Sequence, residues 1–99
     1  MNTIELPVAT NSLRTRMFIN GSWVAAKSGA QLPVYNPATG EVLAHVPDAD
    51  ANDVNDAVSS AVHTFKSEAW RRMPPVKREA ILLRLADLLE ENANELAEL

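Results

Sequence analysis

Asn36-Pro37-Ala38-Thr39-Gly40-Glu41 lies between two short apolar runs, Leu32-Pro33-Val34-Tyr35 and Val42-Leu43-Ala44-His45-Val46. Proline presets φ early in such a turn and glycine closes it, so the chain reverses here and the flanking runs pair as strands. Pro33 has no N–H to donate and puts its strand at a sheet edge. Upstream, Phe18-Ile19-Asn20-Gly21-Ser22-Trp23-Val24 repeats the device in a tighter form. Asn-Gly suits a two-residue hairpin turn, because both central positions need positive φ. A loop over residues 25–31, containing Ser28-Gly29, joins the two hairpins. A lone two-stranded ribbon is only marginally stable in water, so these strands need something to lie on.

Two helical segments follow. Asp50 is a good N-cap, and Asp53 sits in the first turn, where the helix dipole favours a carboxylate. Val54, Ala57, Val58, Ala61, Val62 and Phe65 recur at spacings of three and four. That period predicts a helix over Ala51–Ser67 which buries its Val54/Val58/Val62/Phe65 face. Glu68–Met73 reads as a short helical turn carrying Trp70, and Pro74-Pro75 breaks the chain. Pro75 suits the first turn of a new helix, where no N–H is needed. From Val76 to Leu99 there is no Gly or Pro, and Ile81, Leu85, Leu88, Leu89 and Leu96 keep the helical period. A single helix of that span would reach roughly 36 Å at about 1.5 Å per residue. No stop is read before Leu99, which is in phase with the apolar face, so the chain is expected to continue beyond it. Residues 1–16 lack sustained periodicity and are expected to be a poorly ordered leader, or else an arm that packs on a neighbouring subunit.

The bulk properties narrow the function classes. Ninety-nine residues with 46% hydrophobic content fit one small globular unit with a modest core. A net charge of -4 argues against an extended nucleic-acid surface, which needs clustered Lys and Arg. The absence of cysteine excludes a disulfide framework, a cysteine zinc site and a cysteine nucleophile within this chain. No basic-then-apolar leader reads as a signal peptide, and no run approaches the roughly 18 apolar residues of a membrane span. A cytoplasmic protein with no membrane partner is expected.

A search for chemistry returns little. Gly21, Gly29 and Gly40 are too scattered for a dinucleotide or P-loop cradle. His45, on a strand, and His63, on a helix, have no second ligand at metal spacing. Glu90, Glu91, Glu95 and Glu98 spread over the solvent side of a helix. Ser59 or Ser60 with His63 and Asp56 lie about one helical turn apart, but a helix surface offers no oxyanion hole and no strained nucleophile turn. Trp23 and Trp70 read as core or seam residues rather than ligand platforms. No catalytic and no cofactor-binding residue is assigned within the chain.

The ordered series is more specific than its parts. From Phe18 to Leu99 the chain runs through an F-I-N-G-x-W opening, N-P-A-T-G-E-V, a D-x-D-V-x-x-A-V helix, a W-R-R-M tract and an R-x-x-x-L-x-R-L-A-D-L-L-E helix. It resembles the amino-terminal end of the aldehyde dehydrogenase superfamily, and its W-R-R-M-P-P run looks like the class that includes betaine aldehyde and phenylacetaldehyde dehydrogenases. The resemblance implies an α/β fold. Residues 17–99 would be the amino-terminal part of a Rossmann-like NAD(P)-binding domain, incomplete at the carboxyl end and seen as β-hairpin ribbons plus two helices. It implies an oxidoreductase that converts an aldehyde to a carboxylic acid with NAD or NADP through a cysteine thiohemiacetal. The cysteine, the glutamate that activates water and the oxyanion-binding asparagine would all lie beyond this chain, leaving the isolated chain inactive and without bound NAD. It further implies a homodimer or homotetramer. One residue role carries over: some relatives bind a monovalent cation partly through a backbone carbonyl just before the N-P-x-T-G turn, which matches Val34.

A reading from another class stands beside this one. Ribbons and helices of this kind could form a standalone α+β protein-interaction module without catalysis. A long α/β continuation containing a cysteine favours the enzyme, and a stop after Leu99 favours the module.

Overall fold

A computed structural model describes residues 13–99, which fall into two compact units, 13–67 and 68–99. The expected leader over 1–16 thus lies largely outside the described residues, and Met17 opens the first strand. The first unit runs β1 (Met17–Ile19), β2 (Ser22–Val24), β3 (Gln31–Tyr35), β4 (Val42–Pro47) and α1 (Ala51–Lys66). β1 and β2 form one antiparallel hairpin and β3 and β4 a separate one. Asn20 and Gly21 carry φ of 51° and 76°, the pair of left-handed residues that a two-residue hairpin turn demands. Phe18 stands opposite Trp23, and their rings meet at a centroid distance of 5.0 Å with a 50° tilt. Aromatic pairs of this kind add about 0.5–1.5 kcal/mol beyond the area they bury.

The second ribbon is built around its turn. Asn36 Oδ1 accepts the Ala38 N–H at 2.9 Å, and Asn36 O accepts the Gly40 N–H at 2.7 Å. Asn36 N–H in turn donates to Glu41 O at 2.7 Å. Gly40 sits at φ 75°, where an L side chain would be strained. The register passes from Val34↔Ala44 to Tyr35↔Val42, so Leu43 is the extra residue of a β-bulge. At the open end, Asp48 N–H donates to Ala30 O at 2.8 Å and closes the ribbon.

Asp50 caps α1 by accepting the Asn52 and Asp53 N–H groups at 2.9 and 3.2 Å. Asp53 Oδ2 reciprocates by accepting the Asp50 N–H at 3.0 Å, which completes a capping box. The helix ends where Ser67 turns extended, its N–H and hydroxyl both donating to Thr64 O. The expected burial of the Val54/Val58/Val62/Phe65 face is not found within this chain. All four are exposed, Phe65 by 70%, whereas Asp53 is the buried residue of the helix at 3%. The hairpin lies against the side that carries Asp53 and Ser60, so the apolar face beside it has nothing in this unit to cover it.

The second unit holds α2 (Glu68–Arg71), α3 (Pro75–Glu91) and α4 (Ala93–Glu98). Pro75 stands at the start of α3 as its missing N–H allows. The uninterrupted helix expected from Val76 to Leu99 is instead two helices, broken at Asn92. Asn92 has φ −110° and ψ 18°, and its Nδ2 donates to Leu88 O at 2.8 Å. A short amide that bonds the preceding turn competes with the backbone for that carbonyl. Val76, Ile81, Leu82, Leu85, Leu88 and Leu89 on α3 are all exposed. Among the described residues only Ala26 and Asp53 are buried, so neither unit encloses a core of large side chains.

Candidate functional site

Val34, the one residue expected to bear a ligand, lies on β3 beside the β-bulge and is 38% exposed. A bulge disrupts the hydrogen-bond ladder locally and recurs near functional sites. Among the described residues, no group of three or more His, Asp or Glu side chains is placed to hold a metal ion.

Asp56, Ser59, Ser60 and His63 do come together on α1, where with Ile19 and Asn20 they line a groove of about 340 Å³. Ser60 Oγ donates to Asn20 Oδ1 at 3.4 Å, so its hydroxyl ties the helix to the hairpin turn. Asp56 is engaged by Lys27 Nζ at 2.6 Å, and this pairing raises the Lys27 pKa above its ordinary value. Ser60 and Asp56 thus serve the hairpin–helix junction.

The junction centres on Asp53. Its Oδ1 accepts the Lys27 N–H at 3.1 Å across 26 residues of sequence, while Oδ2 closes the capping box. The backbone N–H of Asp50, then that of Lys27, hold the carboxyl below its ordinary pKa of 3.8. An ionised carboxylate with its lone pairs taken by N–H donors is the arrangement that tolerates such burial. Asp53 was legible as a first-turn acid, but its reach to the Lys27 loop was not, since no local pattern encodes a contact at that separation.

In the second unit, Arg78 Nη2 donates to Trp70 O at 2.7 Å while its guanidinium lies 4.6 Å from the centre of the Trp70 ring. The sequence marked Trp70 as a core or seam residue without indicating which cation it meets; it is 37% exposed.

Residues 23–99 match the model of the aldehyde dehydrogenase family. The chain belongs to the aldehyde dehydrogenase family. Over 84 residues it is 62% identical to a phenylacetaldehyde dehydrogenase of Pseudomonas fluorescens, a match that covers 85% of this chain and 17% of that enzyme. Among solved structures it is similar to a variant of the P. syringae indole-3-acetaldehyde dehydrogenase in complex with NAD+ and IAA. That likeness has a TM-score of 0.80 at 44% identity and covers 90% of this chain and 18% of the other. The NAD+ complex of a Bacillus cereus aldehyde dehydrogenase gives the same TM-score, 0.80, at 43% identity, covering 85% and 17%. Matches to the curated relatives thus span only 16% to 19% of their length. The hairpins and helices of this aldehyde dehydrogenase segment are those of the family's solved structures. No helix among its described residues is long and apolar enough to cross a membrane.

Proposed function

We propose that this chain is the amino-terminal part of a longer NAD(P)-dependent aldehyde dehydrogenase that oxidises an aldehyde to a carboxylic acid, its catalytic cysteine lying outside the 99 residues. The observation that carries the reading is the 62% identity to a phenylacetaldehyde dehydrogenase over most of the chain. NAD(P), when bound to the whole enzyme, supplies the hydride acceptor. This segment contributes scaffold: residues 17–99 form part of the cofactor-binding, Rossmann-like domain, and residues 1–16 lead into it. The exposed faces of α1 and α3 support that assignment, since helices with such faces need a larger body to pack on. The bulge at Val34 is compatible with its carbonyl serving as one ligand of a monovalent cation, with the remaining oxygens supplied from outside the described residues. The complete enzyme works in the cytoplasm as a homodimer or homotetramer.

Phenylacetaldehyde and indole-3-acetaldehyde, the aldehydes in the names of two similar enzymes, share an aromatic ring one carbon from the carbonyl group. Arylacetaldehydes are therefore the first substrates to test. The complete protein should reduce NAD+ or NADP+ in their presence and release the corresponding acid. Failure to form reduced cofactor with any aldehyde would refute the proposal.

A further inference from the structure

We infer that Arg78 is the clasp of a conformational device at the α2–α3 corner, holding the single turn of α2 and the Trp70 ring against the start of α3. α2 has only four residues, too few to be stable as a helix in isolation. It lies between the extended Ser67 and the Pro74-Pro75 break, so helix propagation cannot reach it from either side. At its end, Arg72 N–H donates to Glu68 O at 3.0 Å and Met73 N–H to Trp70 O at 3.2 Å. The Arg72–Glu68 ion pair is exposed on both sides and contributes little.

Arg78 adds two contacts to this turn. Its charged Nη2 reaches the Trp70 carbonyl near the C-terminal end of α2, where the helix dipole favours a cation, and the same guanidinium covers the indole face. One side chain thereby fixes both the backbone and the ring of Trp70. The arrangement carries a counterweight. Nε of Arg78 is sealed from solvent and has no hydrogen-bond partner among the described residues. A buried donor without an acceptor is unfavourable and regains water when the site opens. The clasp is therefore held shut by a charge-assisted bond and a cation–π contact, and biased towards opening by the orphan N–H. Lysine could keep the charge but could not present a planar fork that bonds the carbonyl and covers the ring together.

Hydrogen exchange read by mass spectrometry on the complete protein tests the clasp in wild type, Arg78→Lys and Arg78→Ala. Losing a charge-assisted hydrogen bond should speed exchange of the peptide spanning 68–74 about tenfold or more in Arg78→Ala. Arg78→Lys should show most of that increase, with exchange across 80–91 unchanged in both variants. Exchange of 68–74 at the wild-type rate in Arg78→Lys would overturn the inference, because charge alone would then suffice. If Arg78→Ala does not fold, Arg78→Lys decides the matter by itself.

Discussion

At the residue scale, Asp53 ties the Lys27 loop to the start of α1. It is the buried carboxylate that anchors the β2–β3 loop and helps cap the start of α1. Because its pKa is depressed in the folded state, the stability it contributes is present above its ordinary value of 3.8 and is lost as pH falls through the lower folded value. Asp53→Asn should lower the melting temperature at neutral pH and flatten the acid limb of the stability profile below about pH 4. Thermal melts of the complete protein between pH 2 and 7, in wild type and variant, would check both. Gly40 makes a separate point. Nothing lies within 4 Å of a Cβ placed there, so Gly40→Ala meets no clash and its effect isolates backbone strain at φ 75°. A loss of about 1–2 kcal/mol is expected in denaturant unfolding. No loss would mean that the turn can relax away from the left-handed conformation.

At the element scale, local chemistry is legible in the sequence and longer-range packing is not. The Asn20-Gly21 hairpin, the ribbon closed by Asn36–Gly40, the Asp50 cap and the Pro75 start all appear where the residues ask for them. Each is a short-range rule of sterics or hydrogen bonding. The bulge at Leu43 is not legible in the sequence, because its signal lies in the pairing of two strands, not in either one. The break at Asn92 rests on one asparagine within a long helical run whose apolar period continues on both sides of it. The face of α1 that holds Val54, Val58, Val62 and Phe65 was identified as apolar, yet it is uncovered here because the surface it needs is not in its unit. In the complete protein, Phe65→Ala should therefore cost about 3–5 kcal/mol, the loss expected in a packed core. An unchanged melting curve would show that this face does not become buried.

At the scale of the whole molecule, family membership was legible because the order of turns, caps and tracts is itself a pattern, spread over 77 matched positions from Trp23 to Leu99. Candidate chemistry was much less so. The chain has no cysteine, and in the proposed cation site Val34 would act through a carbonyl that every residue type possesses. The isolated chain should give no NAD signal by titration calorimetry, and specific micromolar binding would contradict the scaffold role. The apolar helix faces carry the central claim, that these 99 residues are one part of a larger enzyme. Exposed faces of this size mark an interface or an aggregation liability. Size-exclusion chromatography combined with proton NMR on the isolated chain measures them directly. Self-association with broad, poorly dispersed methyl resonances is the expected result. A monodisperse monomer with sharp, dispersed methyl signals would contradict it and favour a standalone module.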